Sequence, residues 1–166
     1  INKSVNQSFY EDQVEKYIIA ENILNLEESI NSFNKIQDSE ESFISELSKI
    51  KIVNLLIEND NLGESRNKLI EIINNNEDNL INDLAIYLHV MSNLQEIQVS
   101  EIESLMTREK KQNSEFKYLF KETIAIKHLL DGKTKLSIEK FNDLINDKDT
   151  PNDVVIRASK FLVSIK

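Results

Sequence analysis

AENILNLEESINSFNKI (20–36), LIENDNLGESRNKLIEI (56–72) and HLLDGKTKLSIEKFNDL (128–144) share one frame. Leu56, Asp60, Ser65, Leu69 and Ile72 fall on His128, Gly132, Ser137, Phe141 and Leu144. A shift half as large lays Ala20, Leu24, Ser29, Phe33 and Ile36 on the same positions. Each stretch reads as the end of one helix, a polar turn, and a second helix whose apolar residues recur at spacings of three and four. The unit is about 36 residues, so the chain is read as an array of helix pairs.

The rest of the sequence fits that reading. Gly occurs twice and Pro once in 166 residues. So few breakers point to an all-α protein. The length fits one domain over 1–166, long enough to hide roughly 70% of its unfolded surface. The period lies in the tetratricopeptide range. The expected architecture is a tetratricopeptide-like, right-handed helical-hairpin solenoid with a C-terminal capping helix. Ile, Asn and Lys are abundant and have AT-rich codons, which reads as the genomic bias of an AT-rich bacterium. A net charge of −9 opposes phosphate backbones, so no nucleic-acid partner is expected. Cysteine is absent, which removes disulfide and thiol chemistry. No apolar run approaches the roughly 20 residues of a membrane span. The chain opens on Ile1 rather than Met, and an anchor or signal is expected upstream of it.

Apolar spacing predicts the helices. The first runs over 3–24 on a stripe of Tyr10, Val14, Tyr17, Ala20 and Leu24, and a second over 27–36 turns Ile30, Phe33 and Ile36 inward. Ser39 is the expected N-cap of the next, over 39–58, with Glu40 and Glu41 in its first turn and Phe43, Leu47, Ile50, Val53 and Ile57 inward. After a turn at 59–63, Leu62, Leu69, Ile72 and Ile73 face inward until the Asn cluster at 74–76. Leu80, Leu84, Tyr87, Leu88 and Met91 mark a further helix, and Ile102, Leu105 and Met106 its shorter partner after Ser100. The polar stretch 107–115 is the expected mobile connection. A helix over 114–131 closes at Gly132, whose freedom at positive φ suits a C-cap, and its partner spans 134–145. Thr150 is the expected N-cap of the last helix, with Pro151 at its first position and Asp153 in its first turn.

The segment from Phe116 to Lys166 carries Glu122, Ala125, Leu130, Gly132, Ser137, Phe141, Leu144, Asp149, Pro151, Arg157 and Ala158. In order and spacing it resembles the C-terminal part of the ancillary SecYEG translocon subunit family, also described as a tetratricopeptide repeat-like domain. Ser137 stands where that family usually has Ala, and the first repeat lacks the Gly before its turn. The resemblance implies one N-terminal membrane helix and a repeat domain facing the periplasm. It also implies association with the export channel and periplasmic chaperones. It supplies no catalytic residue. Ala125, Gly132, Phe141, Pro151, Arg157 and Ala158 are its structural positions.

The chemistry-bearing residues are few. His89 and His128 lie in different helices without metal-ligand spacing, so no metal or cofactor is expected. The acidic cluster Asp38-Ser39-Glu40-Glu41 lacks the ligand alternation and loop Gly of a calcium site and reads as a solvated helix start. Tyr87 and Tyr118 are the candidate partner-binding side chains. Arg157 is expected to pair with an acid late in the preceding helix, Asp143 or Asp147. The partner face is expected on the first helix of each pair, over 39–58, 78–93 and 114–131. The sequence therefore reads as a non-enzymatic protein–protein interaction module. The leading expectation is a single-pass inner-membrane protein with this domain in the periplasm near the translocon. A cytoplasmic or secreted adaptor for a peptide or protein is the alternative. An enzyme would need a buried polar cluster with perturbed pKa values in a pocket.

Overall fold

The computed structural model describes residues 2–39, 42–75, 79–106 and 116–165. Among them the chain is all-α, with nine helices and no strand. They are α1 (Asn2–Glu21), α2 (Leu26–Gln37), α3 (Phe43–Glu58), α4 (Leu62–Asn75), α5 (Asn79–Ser92), α6 (Val99–Met106), α7 (Lys117–Leu130), α8 (Thr134–Asn146) and α9 (Asn152–Ser164). The chain forms two compact units, 1–81 and 82–166, with the boundary in the first turn of α5.

The first unit stacks α1 on α2, α2 on α3 and α3 on α4. Its core gathers Ala20, Phe33, Ile36, Ile44, Ile52 and Leu56, with Val14, Tyr17, Ile30 and Leu55 packed around them. Tyr17 meets Phe33 edge-on at 5.1 Å. In the second unit α7 packs on α6, α8 and α9, and α8 on α9. There Ala125, Phe141, Leu144, Val154 and Ala158 form the core, and the Phe141 and Phe161 rings stack at 5.0 Å.

The turns explain the repeat. At the end of α3, Asn61 N–H donates to Leu56 O (2.9 Å) and Asp60 N–H to Ile57 O (3.1 Å). At the end of α7, Lys133 N–H donates to His128 O (2.8 Å) and Gly132 N–H to Leu129 O (3.0 Å). These are two copies of one six-residue helix terminus that requires a left-handed residue. Asp60 supplies it at φ 58° and Gly132 at φ 73°. Five residues past each, a serine is sealed between the helices, Ser65 and Ser137. Ser29 holds the same place in the first hairpin, and its hydroxyl donates to Ala20 O at 3.0 Å. A small residue there lets the paired helices approach closely. Leu69, Phe141 and Phe33 follow one turn later and are fully buried.

The structure corrects several sequence expectations. α1 ends at Glu21, and Leu24 is fully exposed in the link. The cause is Asn25, whose side chain accepts from Glu28 N–H and caps α2, so the chain must leave the first helix before it. Ser42, not Ser39, caps α3, in a reciprocal box with Ser45. Ser39 instead donates to Ile36 O and accepts from Gln13. Glu40 and Glu41 lie outside the described residues, as does the connection over 107–115. Phe43 and Leu62, in the opening turns of α3 and α4, are exposed, and Gly63 lies inside α4 rather than in the turn. In α5 the buried face is Ile81, Ala85, Ile86 and Val90, while Leu80 and Met91 are exposed. Apolar residues occupy both faces of this helix, so periodicity alone does not choose the buried one. Pro151 occupies the N-cap position of α9 rather than the first helical one. Thr150 makes no cap, and its hydroxyl is buried without a partner.

Two substitutions test the shared turn. Asp60→Gly should raise stability by about 0.5–1 kcal/mol by removing left-handed strain. Gly132→Ala should lower it by about 1 kcal/mol, since an added Cβ meets nothing within 4 Å and the cost is backbone strain alone. Urea unfolding of each variant measures both. A third substitution addresses packing. The Ser137 hydroxyl is buried without a partner, so Ser137→Ala should leave stability unchanged or raise it by up to about 1 kcal/mol in the same assay.

Candidate functional site

α7 packs against α6, α8 and α9, and it carries two of the candidate residues, Tyr118 and Ala125. Ala125 and Ala158 are fully buried in the core with Phe141, on helices that pack closely. Gly132 closes α7, and Pro151 opens α9. These five residues define the hairpin and its cap, and their surroundings are apolar or backbone.

Arg157 joins the cap to α7. Its Nε and Nη2 donate to the two oxygens of Glu122 at 2.8–3.1 Å, and its Nη1 donates to Asp153 Oδ2 at 2.8 Å. A guanidinium fork on a carboxylate is the geometry that holds such a pair together. The expected partners are otherwise engaged: Asp147 pairs with Lys121 at 3.3 Å and Asp143 lies 3.8 Å from Lys140. The true partner, Glu122, is 6% exposed. The signal was present in the sequence, because a glutamate three residues before the buried Ala125 sits on the buried face of α7. A buried carboxylate needs a cation, and Arg157 is the arginine of α9. The Glu122 and Asp153 hydrogen bonds hold the Arg157 guanidinium well above its ordinary pKa, and Arg157 in turn holds the Asp153 carboxyl below the usual 3.8.

Tyr87 and Tyr118 use different faces of α7. The Tyr87 ring packs against Phe116 at 5.8 Å and Phe120 at 6.0 Å. Burial, followed by the nearby Glu122 carboxylate, pushes its phenol above 10. Tyr118 packs against the α8–α9 core. The ammonium groups of Lys117 and Lys121 lie 5.1 and 5.0 Å from its ring centroid. Burial and the carboxylates of Asp147 and Asp149 raise its phenol. Both rings are half-buried and amphipathic, but they do not form one patch.

A buried lysine was not anticipated. Lys127 is 3% exposed, and its ammonium reaches Asp131 at 2.7 Å and Gln95 O at 3.2 Å. The bond from Lys127 is the main cause that lowers the Asp131 carboxyl below 3.8. The i,i+4 spacing made the Asp131 pairing readable, but nothing in the sequence signalled the Gln95 carbonyl. His89 hydrogen-bonds with Asn93, and His128 is buried with Nδ1 unpartnered. Among the described residues no three His, Cys, Asp or Glu side chains are grouped to hold a metal ion, and no helix is long and apolar enough to cross a membrane. No protein-family model, curated protein or solved structure matches this chain.

Arg157→Met should destabilise by about 2 kcal/mol, because it strands the buried Glu122 carboxylate while losing a partly exposed cation. Asp131, Asp147 and Asp153 all have lowered folded-state pKa values. Their stabilisation is complete above the ordinary value of 3.8 and is lost as pH falls through the lowered values. The urea midpoint of the wild type should therefore drop on acidification below about pH 4, and less of that drop should remain in Arg157→Met, where the Asp153 shift is gone.

Proposed function

We propose that this chain is a non-enzymatic protein-interaction module built as a tetratricopeptide-like, right-handed stack of helical hairpins and closed by α9. The observation that carries this reading is the recurrence of one hairpin at 20–36, 56–72 and 128–144, shifts of one and then two repeat lengths. The same buried serine recurs in three hairpins, and the same left-handed turn recurs at Asp60 and Gly132. Side chains in such a unit are committed to packing, and what they leave for function is surface. Arg157 and the buried Glu122 brace α9 against α7, which is a structural task.

The partner and the place are proposed from the likeness of residues 116–166 to the ancillary translocon subunits, and from that likeness alone. In this reading a membrane helix precedes the domain, the domain faces the periplasm, and it helps hand exported chains from the channel to chaperones. Its acidic surface suits the outward side, since positive charge is retained on the cytoplasmic side of a membrane helix.

Fractionation of the full-length gene product tests the placement. The expected result is recovery with inner membranes, resistant to salt and released by detergent. Photo-crosslinking from exposed positions of α7 and α8 should then capture translocon or periplasmic chaperone subunits. Recovery in the soluble fraction, with crosslinks to other proteins, would replace this reading with a cytoplasmic or secreted adaptor.

A further inference from the structure

Three grooves among the described residues occupy the same place in the repeat. One of about 360 Å³ lies between α1 and α2. One of about 30 Å³ lies between α3 and α4, and one of about 290 Å³ between α7 and α8. In the shared frame Gln13, Lys49 and Lys121 correspond, as do Ser32, Lys68 and Lys140. Lys35, Glu71 and Asp143 correspond at the rim, and Ile36, Ile72 and Leu144 on the floor.

Two of the three grooves have a wall from the helix that precedes the hairpin. Gln37 at the end of α2 lines the α3/α4 groove. Glu103 and Met106 of α6 line the α7/α8 groove. The α1/α2 groove has its lining from α1, α2 and Ser39 alone among the described residues. Its apolar surface is left open: Ile19 is 57% exposed beside Phe9 and the buried Ile36.

Charge separates this groove from its equivalents. The lysines of the other two are all neutralised locally, Lys49 by Glu46, Lys68 by Glu71, Lys121 by Asp147 and Lys140 by Asp143. In the first groove Lys16 pairs with Asp12 at 2.6 Å. Lys35 stands where the others carry an acid and makes no ion pair with a described residue. Among the described residues the groove's rim thus keeps one positive charge without an ion-pair partner, in a chain of net charge −9.

We propose that the α1/α2 groove is the seat of an acidic amphipathic helix from a partner protein. That helix places an apolar side chain against Ile19 and Ile36 and a carboxylate against Lys35, as α6 places Met106 and Glu103 in the α7/α8 groove. The proposal rests on reading the chain as an interaction module and names the chemistry of what it binds. The groove itself is held in shape from behind. Gln13 is 2% exposed, donates to Ser39 Oγ at 2.6 Å and accepts from the Ser42 hydroxyl.

The probe is a fluorescein-labelled, hydrocarbon-stapled peptide with the α6 sequence VSEIESLM, and its control carries Lys in place of both Glu. Fluorescence anisotropy with the complete chain should show saturable binding of the first peptide and at least tenfold weaker binding of the control. Ile19→Asp should weaken binding about tenfold or more, and Lys35→Gln about threefold, the latter effect disappearing at high salt. Ile19 is exposed and Lys35 has no ion pair with a described residue, so both variants should keep the wild-type circular dichroism and melting temperature. Equal binding of the two peptides, or binding unaffected by Ile19→Asp, would overturn the proposal. So would concentration-dependent self-association in sedimentation that Ile19→Asp abolishes, since the seat would then belong to a second copy. Partner crosslinks confined to α7 and α8 with no peptide binding would reject the groove and leave the adaptor reading standing.

Discussion

Two helices can pair closely only where the side chain between them is small, and a three-residue link returns the chain along its own helix through a left-handed residue. These two constraints act together in the α3/α4 and α7/α8 hairpins. The left-handed residue is Asp60 or Gly132, and the small one is Ser65 or Ser137, five positions later. A larger residue at either serine would push the helices apart, and Leu69 or Phe141 one turn on would lose its socket. Gly132 meets the backbone requirement without strain, whereas Asp60 meets it at some cost. The first hairpin solves the same problem differently. It lacks the left-handed residue, its link is longer, and Asn25 restarts the chain as an N-cap. The small residue is kept there too, at Ser29.

The parts of the fold that were legible in the sequence are those fixed by local chemistry. Gly132, the serine frame and the scarcity of breakers announced paired helices, and Ala125 and Phe141 share the core of the last pair. What periodicity could not decide was which of two apolar faces is buried. α5 is apolar on both sides, and only its neighbours select Ile81, Ala85, Ile86 and Val90 over Leu80, Leu84, Leu88 and Met91. Cap positions slipped by one to three residues for a related reason. Ser39 and Ser42 are both competent caps, and Gln13, 26 residues from Ser39, engages one hydroxyl from each end of the link. The partner of Arg157 was missed because proximity in sequence favoured α8, whereas the cap leans on α7 through Glu122.

Function is less legible than fold for a physical reason. Polar side chains that the sequence might offer as chemistry are absorbed into holding helices together. Glu122 meets Arg157, Lys127 meets Asp131 and the Gln95 carbonyl, and Gln13 ties α1 to the α2–α3 link. What remains is a set of equivalent grooves between paired helices, and their differences are informative. A groove whose lysines are matched by its own acids has little call for an acidic ligand. The α1/α2 groove leaves Lys35 without an ion pair among the described residues and Ile19 exposed, so the proposed seat lies where the repeat departs from its own pattern.

The repeated turn is the claim on which the hairpin frame stands, and nuclear magnetic resonance measures it directly. Three-bond HN–Hα couplings and backbone chemical shifts should place both Asp60 and Gly132 at positive φ. The Asn61 and Lys133 amides, which donate five residues back to Leu56 and His128, should be protected from hydrogen exchange alongside their helices. A right-handed Asp60 with an Asn61 amide exchanging at the rate of a free loop would contradict the account, because the α3/α4 and α7/α8 hairpins would then not be copies of one unit.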